Sequence, residues 1–146
     1  MKILDNNALN HVVRNKIRLG EIYFVTPDVR EEFEAGFDQA LPTNVRDVGE
    51  EAWFDGSEYL RNYQTILNRP TGRSFSSMSG FGDVSILALL LTQKTAAVGT
   101  LPGTAEEHLV VSGDVGLIKR VGDEFADKTN EFNSKVSIIS HETYRW

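Results

Sequence analysis

The first 37 residues switch twice between strand-like and helix-like hydrophobic spacing, and no other feature limits the available folds as much. Lys2-Ile3-Leu4 is a short apolar run that ends at Asp5. Ala8, Leu9, Val12, Val13 and Ile17 then recur at helical spacing, with Gly20 standing where a C-cap is wanted. Ile22-Tyr23-Phe24-Val25 is β-branched and aromatic and predicts a second strand. Thr26-Pro27 opens a second helix, because Thr caps well and Pro is tolerated at the first helical position; Val29 and Phe33 face its core side. Strand, helix, strand, helix predicts an α/β domain with a mainly parallel central sheet.

The remainder extends that pattern. Between residues 35 and 56, Gly36, Pro42 and Gly49 break the periodicity and no element is assigned. Residues 57–68 place Tyr59, Leu60, Tyr63, Ile66 and Leu67 on one side of a helix, which Pro70 and Gly72 end. Residues 71–82 read as a Ser/Gly-rich loop. From Asp83 the chain is apolar nearly all round through Leu91, which predicts a helix buried on most sides. A second loop covers 95–107. Leu109-Val110-Val111 predicts a strand, Leu117, Ile118, Val121 and Phe125 a helix, and Val136 to Ile139 a last strand. Four to five strands flanked by helices in three layers is the expected architecture, and 146 residues predict a single domain, 1–146.

Composition excludes several classes of function. With 15 basic and 21 acidic residues the formal charge is −6, which argues against coating nucleic acid or an anionic membrane by bulk charge. Absence of cysteine excludes disulfides, thiolate zinc sites and a cysteine nucleophile. No apolar run approaches the ~18 residues of a membrane span. The Met-Lys-Ile-Leu-Asp start resembles neither a signal nor a transit peptide, so a cytoplasmic protein with no membrane partner is expected.

The acids are informative by position. Asp5 follows the first strand directly, Asp114 follows the strand ending at Val111 by a short Ser112-Gly113 turn, Glu32 lies in the helix after the second strand, and Asp83 opens the most apolar helix. In a parallel sheet all four sit near the carboxyl edge, where open α/β folds bind ligands. Four carboxylates meeting there repel one another unless cations share the space, and oxygen donors without His or Cys favour Mg²⁺ or Mn²⁺. Each acid also has a plain structural role: Asp5 and Asp83 as helix caps, Glu32 as a surface residue near a helix start, Asp114 as a turn residue.

These segments resemble the four motifs of PIN-domain nucleases. Ile3-Leu4-Asp5-Asn6-Asn7 is similar to their opening strand followed by Asp-x-Asn or Asp-x-Ser. Pro27-Asp28-Val29-Arg30-Glu31-Glu32-Phe33 resembles the second motif, whose Val-x-x-Glu spacing selects Glu32 over Glu31. Gly82-Asp83-Val84-Ser85-Ile86-Leu87-Ala88 resembles the third, and Leu109-Val110-Val111-Ser112-Gly113-Asp114 the fourth. The motifs span residues 3–118 in the family's order. Two departures stand out: Val115, Gly116 and Leu117 occupy the stretch where the family often carries a further acid, and the segment between Asp83 and Asp114 is long. Asp123 is a late acid beyond an expected helix and is not assigned.

The resemblance implies a three-layer PIN-like fold and Mg²⁺- or Mn²⁺-dependent hydrolysis of RNA phosphodiester bonds. It implies Asp5, Glu32, Asp83 and Asp114 as catalytic metal ligands, with Asn7 and Ser112 holding the carboxylates in place. Single-domain PIN proteins resemble the toxins of bacterial toxin–antitoxin pairs, which implies RNA as substrate, an antitoxin protein as partner and a homodimer. Arg73, in the loop ten residues before Asp83, is the candidate for substrate contact. Arg61, Arg69, Tyr59, Tyr63 and Phe75 alternate basic and aromatic character nearby, although the two tyrosines fall on the buried stripe of their helix. The competing expectation is a catalytically inactive PIN-like scaffold for protein or RNA interaction, supported by the missing acid after Asp114. A receiver domain is disfavoured because Asp5 has no acidic neighbour, and an Asp-x-Asp phosphatase because position 7 is Asn.

Overall fold

A computed structural model describes residues 1–68, 81–97, 106–114, 116 and 134–146. The expected helix over 117–125, Arg69, Arg73, Phe75 and Asp123 lie outside the described residues. Five strands, β1 (Lys2–Leu4), β2 (Tyr23–Val25), β3 (Val45–Asp47), β4 (Glu106–Ser112) and β5 (Ser134–Ser140), form one sheet in the order β3-β2-β1-β4-β5. Every pairing is parallel. Among the described residues four helices accompany them: α1 (Asn6–Arg14), α2 (Pro27–Phe37), α3 (Gly56–Leu67) and α4 (Gly82–Ala97). The α/β class and the parallel sheet expected from the alternation are therefore present.

Local chemistry accounts for the element ends. Asp5 caps α1 by accepting from the Ala8 N–H at 2.7 Å, and Thr26 caps α2 by accepting from the Val29 N–H at 3.2 Å, with Pro27 at the first helical position. Helix α1 does not run on to Gly20. Lys16 takes a left-handed conformation at φ 52°, the Ile17 N–H reaches the Val12 carbonyl at 3.0 Å, and the Lys16 N–H reaches that of Val13 at 3.2 Å. That pair of bonds ends a helix without glycine and turns Ile17 back against the core, which is why Ile17 reads as a helical position.

Strand β3 lies in the stretch left unassigned by the sequence. It is three residues long, preceded by left-handed Asn44 and followed by a 3₁₀ turn, Val48–Glu50, and it exists by pairing Val45 and Asp47 with Tyr23 and Val25. Helix α4 extends to Ala97 and β4 begins at Glu106, so the expected loop over 95–107 is shorter at both ends.

The core is continuous across the sheet centre. Ile3, Leu4, Val110 and Val111 of the adjacent strands β1 and β4 are fully buried, as are Val84, Ile86 and Leu89 of α4. Helix α1 packs on α2 and α3 on α4. The chain winds outward through β2 and β3, then returns to add β4 on the far side of β1. This reversal brings α4 back against α2, which packs on it as well as on α1. It also makes the carboxyl ends of β1 and β4 a topological switch point, where adjoining chains diverge and leave a crevice.

Candidate functional site

Register carries Asp5 and Asp114 to that crevice. Leu4 pairs with Val111, and the Asp5 N–H continues the ladder to the Val111 carbonyl at 3.2 Å, so Asp5 lies beside Ser112. Only 2% of Asp5 is exposed. Its Oδ1 accepts from the Ala8 N–H, and its Oδ2 accepts from Ser112 Oγ at 2.5 Å and from the Gly113 N–H at 3.2 Å. Burial nevertheless holds the carboxyl above its ordinary pKa, against the opposing pull of these donors and of nearby His141. Ser112, itself buried, accepts the Asp114 N–H at 2.9 Å while donating to Asp5, so one hydroxyl couples both acids.

The other two acids come from the helices. Glu32 reaches across from α2 to the start of α4, where a Cβ added to Gly82 would stand 3.2 Å from each Glu32 carboxylate oxygen. Glycine at 82 therefore lets the carboxylate approach the helix end. Glu32 is raised above its ordinary pKa by burial first; the Gly82 N–H bond opposes this, and the charges of Asp28, Asp5 and Glu31 add to it. Because Glu32 takes the Gly82 N–H, that group is not offered to a ligand anion. Asp83, 6% exposed, lies in the first turn of α4.

Asp5, Glu32, Asp83 and Asp114 together line one cavity of about 260 Å³, with Asn6, Asn7 and Gly82 completing its wall. Four chain segments separated by up to 109 positions meet there, since Asp5 and Asp114 are the outermost of them. Among the described residues the polar lining is carboxylate and carboxamide, without a cationic side chain. An all-oxygen donor set suits a hard divalent cation, and burial, the main cause of the raised pKa of both Asp5 and Glu32, makes their ionised forms costly in a way that a cation would offset. As the side chains stand, no three acidic or imidazole groups among the described residues are gathered closely enough to hold an ion. Holding one ion requires these carboxylates to come closer together than they stand.

The plain structural roles are present beside this convergence. Asp5 is a helix cap, and Asp114 Oδ1 accepts the Gly116 N–H at 2.7 Å in a turn of its own. Asn7 lines the cavity, and its Cβ with the His141 ring encloses Gly113: a Cβ there would come within 2.6 Å of the ring and 2.9 Å of Asn7. One wall residue, Asn6, and one residue packed on Gly113, His141, escaped the sequence reading. Asn6 Oδ1 is screened from solvent with no hydrogen-bond partner among the described residues, and nothing in its local sequence distinguishes it from Asn7 or Asn10. His141 is 27 positions beyond Asp114 in the chain and is brought to Gly113 by the β4–β5 pairing, which its own N–H extends to the Ser112 carbonyl.

Away from the cavity, Tyr59 is buried and both Tyr59 and Tyr63 donate to Asp28, at 3.2 and 2.7 Å. Tyr59 is thus a core residue. Burial and the Asp28 charge push both phenols upward in pKa. Arg61 is exposed and pairs with Glu58. Among the described residues no helix is long and apolar enough to cross a membrane. The chain matches no protein-family model, no curated protein and no solved structure.

Proposed function

We propose that this chain is a metal-dependent nuclease of the PIN type that hydrolyses RNA phosphodiester bonds. One observation carries the reading: the four acids of the four motif-like segments line a single cavity at the carboxyl edge between β1 and β4. Asp5 is the fixed point, held by three donors, and Ser112 sets Asp114 relative to it. Asp83 supplies a carboxylate from the start of α4 and Glu32 one from the middle of α2. Mg²⁺ or Mn²⁺, when bound, supplies Lewis acidity that lowers the pKa of an attacking water and offsets charge at phosphorus. Glu32, half-buried and raised in pKa, is suited to orient that water and accept its proton at a carboxylate oxygen. The same reading brings with it a cytoplasmic location, an antitoxin-like protein partner and a homodimer.

The test is cleavage of single-stranded RNA in Mn²⁺ by wild type, Asp5→Asn and Asp114→Asn. Activity in the wild type that both variants lose supports the assignment. Wild-type rates in either variant, or activity indifferent to chelation, reject it. A second reading, an inactive scaffold of the same fold, is favoured by the satisfied capping and turn roles of Asp5 and Asp114 and by the open spacing of the acids. It predicts no cleavage and no stabilisation by Mn²⁺.

A further inference from the structure

Immediately beside the acidic cavity lies a second groove of about 330 Å³, lined by Asp28, Glu31, Glu32, Ala35 and Phe81. Glu32 belongs to both, so the two are neighbours across one side chain. Phe81 is 50% exposed, far above what a large apolar ring ordinarily leaves in water. Its position is fixed by the helix it precedes: the Phe81 carbonyl accepts the Ser85 N–H at 2.9 Å as the first bond of α4. Behind it stands Tyr63, ring centroids 6.3 Å apart, itself anchored by its hydroxyl on Asp28. An exposed ring on a rigid support has its conformational entropy already spent, which is the condition for a stacking platform.

We propose that Phe81 is a base-stacking subsite that seats one unpaired nucleobase of a single-stranded RNA next to the scissile position, and that the groove prefers guanine to uracil. The proposal rests on the nuclease reading above and names where its substrate lies. Stacking on an aromatic face accepts any base, so selectivity must come from the groove wall. Among the described residues the polar groups of that wall are carboxylates, which accept hydrogen bonds and donate none. Asp28 is occupied by two tyrosine hydroxyls and Glu32 by the Gly82 N–H, which leaves Glu31 facing an occupant. Guanine presents two adjacent N–H donors that match one carboxylate. Uracil presents one N–H between two carbonyl oxygens, which carboxylates repel. Negative charge here is no obstacle, because a base edge and not a phosphate enters the groove.

The experiment is fluorescence anisotropy of labelled single-stranded oligonucleotides, one containing guanine and one all-uracil, with a blunt duplex as control. Millimolar Ca²⁺ screens the acids without promoting hydrolysis. Phe81→Ala should weaken the guanine-containing strand by roughly tenfold or more, the effect of losing a base–aromatic stack. Phe81→Trp should keep or improve affinity, the duplex should be indifferent to both, and Glu31→Ala should narrow the guanine–uracil difference. Equal affinities for wild type and Phe81→Ala, or a parallel loss on the duplex, overturn the proposal. So does the opposite dependence, in which an arginine-rich peptide loses affinity with Phe81→Ala and RNA does not; the ring would then be a protein contact. Cleavage that needs Asp5 while binding ignores Phe81 removes the subsite alone. Binding that needs Phe81 with no cleavage in Mn²⁺ removes the nuclease reading alone.

Discussion

Asp5→Asn separates a cation-binding carboxylate from a helix cap more cleanly than any other change in this chain. The replacement is nearly isosteric, and asparagine caps helices as well as aspartate does. Three donors now converge on the two carboxylate oxygens: the Ala8 N–H on Oδ1, Ser112 Oγ and the Gly113 N–H on Oδ2. An amide has one acceptor oxygen, so either orientation leaves a backbone N–H facing an NH₂ group, at a cost of about 1–3 kcal/mol. The opposite contribution comes from the charge. Asp5 is raised in pKa chiefly by burial, so its ionised form is disfavoured in the fold at neutral pH, and removing the charge relieves that penalty. The two effects oppose, and metal-free stability should change little.

Metal breaks this balance. At a concentration about 100 times the dissociation constant, a cation that binds only the folded state stabilises it by about 2.7 kcal/mol. At about 2–4 °C per kcal/mol for a chain near this length, wild type should gain roughly 5–11 °C in Tm. Asp5→Asn should gain almost nothing. Thermal unfolding by circular dichroism, with and without millimolar Mn²⁺, reads both proteins in one series. An unshifted wild type refutes a cation site on this edge. Equal shifts in the two proteins place the cation somewhere that Asp5 does not reach.

Ser112→Ala strips Asp5 Oδ2 of a donor and the Asp114 N–H of its acceptor; urea unfolding should show a loss of about 1–3 kcal/mol, and an unchanged midpoint would mean that the bridge contributes nothing. Gly113→Ala drives a Cβ to 2.6 Å from the His141 ring and should cost about 1–3 kcal/mol, a penalty that His141→Ala should relieve in part in a double-mutant cycle, since Asn7 Cβ still stands 2.9 Å away. His108, 3% exposed, has its pKa lowered to about 4 by burial and by the nearby N-terminal amine. The unfolded chain therefore binds the extra proton first, so this contribution is complete above pH ~6.5 and is lost as pH falls towards about 4, by on the order of 3 kcal/mol. His108→Gln should flatten the stability profile over that window, and a profile as steep as wild type would show that another group titrates there.

How far the sequence could be read depended on the range of the interactions involved. Strands β1 and β2 and helices α2 and α3 were legible because their signals are local: apolar period, Thr-Pro at a helix start, Asp or Asn at a cap. The burial of α4 was legible too, since residues 84–90 are apolar around the whole helix apart from Ser85, whose hydroxyl returns to the Gly82 carbonyl. Strand β3 was not, because three residues between Asn44 and a 3₁₀ turn carry no period, and only the Tyr23–Val45 and Val25–Asp47 pairings hold them extended. The full length of β4 was missed for a related reason. Glu106, Glu107 and His108 have weak strand preference, and the seven-residue ladder to β5 keeps them in line. The end of α1 was misread because Lys16 adopts the left-handed conformation that sequence rules reserve for glycine.

For the candidate site, the sequence by itself determined which residues are chemically suited and on which elements they ride: an acid after the first strand, one in the second helix, one opening the apolar helix, one after the strand ending at Val111. It also excluded thiolate and disulfide chemistry outright. Tertiary structure alone decided that these acids share a cavity, because strand order places β1 beside β4 and register places Asp5 beside Ser112. It alone decided that Gly82 admits Glu32, that His141 closes on Gly113, and that Phe81 is left in water beside the acids. Periodicity and capping act over four or five residues of chain, whereas contacts between positions 5 and 114 depend on which strands pair, and no local pattern encodes that choice.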